Sequence, residues 1–135
     1  MSKSAPSSNS YIALLDSPEE IRRKIKIAVT DSGKEVKYDP KSKPAISNLM
    51  AIYSAFAGLS YDTIEKRYHA KDYAEFKKEL AELLVQKLSP IQKKYQELTR
   101  DEKKIKKILL EGSEEARQVA RKTINMVKER IGLVL

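Results

Sequence analysis

The chain has 135 residues, 27 Lys and Arg against 19 Asp and Glu, and a formal net charge of +8. That length suits one ordinary domain or two very small ones, with enough apolar residues to bury a core without covalent staples. With no cysteine there is no disulfide, thiolate zinc site or cysteine nucleophile, and a single histidine argues against a multi-histidine metal site or a histidine triad. Four glycines leave little from which to build a Gly-rich phosphate cradle. No apolar run approaches a bilayer span, and the first residues lack an apolar signal region, so a soluble, cytoplasmic protein is expected. The positive surplus favours a polyanionic partner, nucleic acid first and an anionic membrane surface second.

Residues 1–10, rich in Ser with Pro6 and Asn9, read as a mobile arm, and Tyr11 to Leu15 as an apolar patch that docks it. Ser17-Pro18-Glu19-Glu20 starts a helix: Ser17 caps, Pro18 takes the first position and Glu20 closes a capping box. Ile21, Ile25, Ala28 and Val29 then form its buried stripe, with Arg22, Arg23, Lys24 and Lys26 on the other faces. From Thr30 to Lys43, Gly33, Pro40 and mixed periods predict a long ordered loop, a length often tied to function.

Ile46, Leu49, Met50, Tyr53 and Phe56 restore the helical period, and Gly58 is placed to end that helix in a left-handed conformation. Ser60 caps a brief helix ending near Tyr68-His69, with Leu59 stapled on Ile64. Asp72 and Glu75 form another capping box ahead of the stripe Phe76, Leu80, Leu83, Leu84, Leu88, Ile91, Tyr95 and Leu98. Pro90 keeps the phase of that stripe, so one helix kinked near Leu88–Pro90 is predicted. Ile105, Ile108 and Leu109 belong to a helix that stops at Gly112, and Ser113 caps a last one carrying Ala116, Val119, Ala120, Ile124, Val127 and Ile131. The expected fold is all-α, a bundle of about five or six helices with a flexible N-terminal arm.

No paired carboxylates, nucleophile–base pair or metal-ligand set can be assembled from this pattern. Tyr53, Tyr61, Tyr68, Tyr73 and Tyr95 read as core-edge residues with wet hydroxyls, and His69 as a solvated or capping residue. Basic residues cluster on the loop (Lys34, Lys37, Lys41, Lys43) and on the last two helices (Lys103, Lys104, Lys106, Lys107, Arg117, Arg121, Lys122, Lys128, Arg130). Arg117, Arg121 and Lys128 fall near one face. Such a face permits phosphate contacts and equally suits plain solvation, since phosphate binding needs exposed charge and no fixed motif.

Met1-Ser2-Lys3-Ser4 resembles the end of the KMSKS loop of class I aminoacyl-tRNA synthetases. Tyr11-Ile12, Leu15-Asp16, Lys24-Ile25, Ala28-Val29-Thr30-Asp31, Tyr38-Asp39, Lys43-Pro44 and Ile46-Ser47-Asn48-Leu49 follow in the order and spacing of bacterial tryptophanyl-tRNA synthetases. Tyr68, Tyr73, Phe76-Lys77, Leu80-Ala81, Pro90-Ile91-Gln92, Gly112, Ala116 and Val119-Ala120 extend the resemblance along essentially the whole chain. Ala5 stands where the family usually has Asp, and Ala45 where it often has Gly.

The resemblance implies that Lys3 is catalytic, its ammonium set against the ATP phosphates to offset charge at the α-phosphorus. Ser2, Ser4 and Met1 would complete the ATP-binding loop. It implies ATP with Mg2+ as cofactor of the intact parent and none for this stretch alone, where a frayed terminus is expected. It divides the chain into a remnant of the KMSKS loop with its linker (residues 1–15) and an α-helical anticodon-binding domain (residues 16–135). The implied partners are tRNA(Trp) and the N-terminal catalytic half, with the HIGH motif and nucleotide-binding fold, which this stretch lacks; the parent is expected to be a homodimer, with neither DNA nor membrane as a partner. Lys103, Lys107, Arg117 and Arg121 are the expected tRNA phosphate contacts. The reading that follows is the C-terminal portion of a tryptophan–tRNA ligase, inactive alone; the alternatives are a stand-alone basic RNA-binding module or a truncated product with no role of its own.

Overall fold

The computed structural model describes residues 7–133, and among them every regular element is helical. Five α-helices follow one 3-10 turn at Ser8–Ser10: α1 (Pro18–Ile27), α2 (Pro44–Ala57), α3 (Tyr61–Arg67), α4 (Tyr73–Thr99) and α5 (Glu102–Arg130). The expected all-α class and helix number hold. The chain forms two compact units, residues 1–92 and 93–135, and the division falls inside α4.

The first unit is built from local signals. Ser17 accepts the Glu20 amide at 3.2 Å, Ser60 the Thr63 amide at 3.3 Å and Asp72 the Glu75 amide at 2.9 Å, each satisfying an amide that a helix start leaves without a partner. Glu20 does not close its box; its carboxylate instead holds Arg23 one turn on. Gly58 ends α2 at φ 70°, a conformation in which a Cβ is strained.

The core joins Ile21 and Ile25 of α1, Ile46, Leu49, Met50 and Tyr53 of α2, Ile64 of α3, Tyr68 after it, and Phe76, Leu80, Leu84 and Leu88 of α4. Burying each large side chain is worth about 1.5–3 kcal/mol. The tyrosines reach deeper than expected. Tyr53 and Tyr68 are buried; Tyr68 meets Tyr53 and Phe76 edge-on while Tyr53 stacks on Phe76, so their hydroxyls are not wet. Tyr61 instead stacks its ring on Tyr38 at 3.7 Å.

The loop between α1 and α2 is ordered by what it caps. Asp31 accepts the amides of Ala45 and Ile46 at 3.4 and 3.0 Å, and so caps α2 from fourteen residues upstream, while Lys43 at the cap position offers no side chain. Val36 drops into the core, and the Ser47 hydroxyl accepts the Asp39 amide at 2.9 Å.

Four expectations fail on tertiary grounds. Val29 is 80% exposed, because α1 ends at Ile27 and the stripe loses its helical phase. Lys24 is buried, since an acid from the preceding linker neutralises it. Burial along α4 ends at Leu88, and Ile91 and Tyr95 are half exposed. Gly112 does not end a helix: its φ is not positive, and α5 runs through it unbroken. One interior glycine costs about 1 kcal/mol, which the good helix formers around it offset. Accordingly Ser113 caps nothing.

Candidate nucleic-acid interface

The second unit is dominated by α5. Asp101 caps it through the Lys104 amide at 3.0 Å, Glu102 lies in its first turn, and Lys128 and Arg130 in its last, the order that suits the helix dipole. No residue of α5 is buried. Its continuity has a geometric result. At about 100° per residue, Lys103, Lys107, Arg117 and Arg121 fall within an arc of about 80° along about 27 Å of one helix face. Lys128 falls in the same arc, and so do Leu110 and Glu114. Two helices broken at Gly112 would have left this alignment to the angle between them.

Electrostatics grade the four cations. Lys107 sits 3.8 Å from Glu111, and Arg117 3.0 Å from Glu114, both on the exposed surface, where such pairs are worth little and open easily. Lys103 and Arg121 form no ion pair among the described residues. Ile105, Leu109, Ala116 and Val127 run along the opposite side. They are expected as a buried stripe, yet Leu109 is 66% exposed.

The titratable groups of the first unit are occupied with one another. The Tyr68 hydroxyl donates to Glu79 at 2.6 Å, Arg67 donates to the same carboxylate at 2.7 Å, and Lys71 stands 3.6 Å away. Burial, reinforced by the bond to Glu79, pushes the Tyr68 hydroxyl well above the ordinary tyrosine range. The Tyr68 bond, with Arg67 behind it, holds Glu79 below the ordinary carboxylate range. The cluster contains no nucleophile beside a base and works as a brace between α3 and α4. His69 is exposed, as expected. Among the described residues no three His, Cys, Asp or Glu converge as for a metal ion, and no helix is long and apolar enough to cross a membrane. Met1, Ser2, Lys3 and Ser4 lie outside the described residues.

Lys43 turns back to the carbonyl of Glu35 at 3.0 Å and serves the loop itself. Periodicity read helix by helix missed a different basic cluster, formed where α1 and α4 face each other: Arg22, Lys26, Lys77 and Lys78. Its members sit fifty residues apart in sequence and share no motif, so only packing brings them together.

A basic, all-helical chain of this kind matches a known family. The family described as tRNA synthetases class I (W and Y) matches residues 1–89, and the chain belongs to it. The similarity is to its tryptophan members. The chain is 45% identical over 135 residues to a tryptophan–tRNA ligase of Caldanaerobacter subterraneus and 44% identical over 133 residues to that of Bacillus subtilis. It covers 41% and 40% of those proteins, on their C-terminal side. The crystal structure of tryptophanyl-tRNA synthetase from Mycoplasma pneumoniae superposes with a TM-score of 0.86 over 99% of this chain and 41% of that one, at 27% identity.

Proposed function

We propose that this chain is the tRNA-gripping part of a tryptophan–tRNA ligase, with residues 1–15 as the remnant of the phosphate loop and its linker, and residues 16–135 as the anticodon-binding domain. The single observation that carries the reading is the aligned basic face of α5 in a member of this family. Lys103, Lys107, Arg117 and Arg121 hold successive phosphates of tRNA(Trp), since exposed cations on one rigid face match a polyanion without needing a fixed motif.

In the intact ligase, ATP with Mg2+ and the tryptophan pocket belong with the N-terminal half, and the whole acts as a cytoplasmic homodimer. Lys3, with Met1, Ser2 and Ser4, contributes to the ATP-binding loop there. Alone, this chain does not adenylate tryptophan, because one loop cannot enclose a nucleotide.

The test is a titration of the 135-residue chain with tRNA(Trp) at two salt concentrations. Binding weakens steeply with salt, and Lys107→Ala with Arg121→Ala lowers affinity and flattens the slope by about 1.8. Salt-independent binding, or an unchanged slope in the double variant, removes α5 from the reading. Tryptophan-dependent pyrophosphate exchange by the chain alone would contradict its inactivity.

A further inference from the structure

Lys77 is a partly buried amine that the function proposed above does not use. It lines a cleft of about 660 Å³ between α1 and α4, whose floor is the apolar surface of Ala74, Ala81 and the Tyr73 ring. From α4 its ammonium crosses to the end of α1 and donates to the carbonyls of Ala28 at 2.5 Å and Lys26 at 3.4 Å. No carboxylate pairs with it among the described residues. Burial pushes the Lys77 amine below the ordinary lysine range, so more of it is uncharged near neutral pH than at a surface lysine.

Its two bonds suit a nucleophile. An amine keeps two hydrogens after losing its third proton, so both carbonyls stay satisfied and a lone pair occupies the fourth position of the nitrogen. The surroundings select the reagent. Lys26 and Lys78 stand on the rim and form no ion pair among the described residues, whereas Arg22 is held by Glu82 through a two-point bridge at 2.7 and 3.0 Å. Two uncompensated cations beside a free amine favour an electrophile that carries a phosphate, and the small alanine floor leaves room for a short acyl group.

We infer that Lys77 is a site of acylation by small acyl phosphates, with Lys26 and Lys78 holding the phosphate. The Nζ lone pair attacks the acyl carbon, the C–N bond forms, and the carbon–oxygen bond to phosphate breaks. Phosphate leaves with the bonding electron pair, and the nitrogen gives its proton to water. The product is a neutral amide with a single N–H, so the modification removes a charge and one of the two bonds that tie α4 to the end of α1. The site owes nothing to the tRNA reading, since neither its residues nor its reagent belong to the α5 face.

The experiment exposes the full 135-residue chain to acetyl phosphate near neutral pH and reads the acetylation rate of each lysine by peptide mass spectrometry, with fragmentation separating Lys77 from Lys78. Lys77 is acetylated about tenfold faster than the exposed loop residues Lys34 and Lys37, and its rate levels off at a lower pH than theirs. In urea, where the cleft is lost, the preference disappears. Lys26→Ala with Lys78→Ala slows acetylation of Lys77 by acetyl phosphate about fivefold but leaves its rate with uncharged N-acetylimidazole within about twofold. Circular dichroism of this variant, altered only at exposed rim positions, matches that of the parent chain.

The proposal is overturned if Lys77 reacts no faster than Lys34 and Lys37, if Lys26 or Lys78 is the preferred target, or if the preference survives in urea. It is overturned equally if the rim variant slows both reagents alike or neither. Loss of tRNA binding in Lys107→Ala with Arg121→Ala leaves these rates unchanged, so the α5 reading and the Lys77 site stand or fall separately.

Discussion

The Lys24 ammonium lies 2.6 Å from the Asp16 carboxylate, with side chains 5% and 15% exposed. Asp16 also accepts the Ala13 amide at 2.9 Å, and the Gln92 side-chain amide donates to the carbonyls of Leu14 and Asp16 at 2.9 Å each. Tyr11 lies under Lys24, with the ammonium 5.1 Å from its ring centre. The segment preceding α1 is thereby fastened to α1 by a largely buried ion pair and to α4 by the Gln92 side chain. Removing one partner leaves the other charge buried and unpaired. Lys24→Met is expected to cost about 3–5 kcal/mol, and Asp16→Asn with Lys24→Met together much less than the sum of the single changes. Urea denaturation of the three variants measures the coupling; additive losses would show that the pair is not coupled.

Asp31 caps α2 at a distance, so its value resembles that of a local cap. Asp31→Ala is expected to destabilise the first unit by about 1–2 kcal/mol, and Asp31→Asn by less, because an amide oxygen can still accept the Ala45 and Ile46 amides. Thermal melting followed by circular dichroism reads both. Equal loss in the two variants would point to charge rather than capping.

Glu79 sets an acid dependence. Its folded-state carboxyl is held below the ordinary value of 4.5, first by the Tyr68 hydroxyl and then by Arg67. A depressed carboxyl stabilises the fold above its unfolded value, and that contribution fades as the pH falls through the folded one. Stability should therefore decline from about pH 5 downward, and Glu79→Gln, less stable near neutrality, should show a shallower decline. Denaturation midpoints across that range decide it; parallel curves for the two proteins would remove Glu79 as a source.

Two glycines should respond in opposite ways. Gly112 is helical with nothing within 4 Å of an added Cβ, so Gly112→Ala should raise the helicity of α5 and stabilise it by about 0.5–1 kcal/mol. Gly58 has equal space but φ +70°, so Gly58→Ala should destabilise by about 1 kcal/mol. Loss of helicity in Gly112→Ala would mean that the helix ends there.

The caps at Ser17, Ser60 and Asp72, the left-handed stop at Gly58 and the inward stripes of α1, α2 and the first turns of α4 were all legible in the residues, because each depends on neighbours within four or five positions. The family, too, was legible from strings such as Ala28–Asp31, although what Asp31 does was not. Its partners are the amides of α2, fourteen and fifteen residues away, and no local period announces them. For the same reason local pattern presents Lys24 as a surface lysine and Gly112 as a stop, whereas Asp16 pairs with the first and α5 runs through the second.

The basic faces divide along the same line. The cations of α5 could be counted in sequence, but their alignment required an unbroken helix. The α1–α4 cleft could not be found at all, because it exists only where two helices meet. Short-range hydrogen bonding and side-chain period are properties of adjacent residues and act in any chain that contains them. Burial, charge pairing and cleft shape depend on which distant segments pack together, and that is decided by the core as a whole.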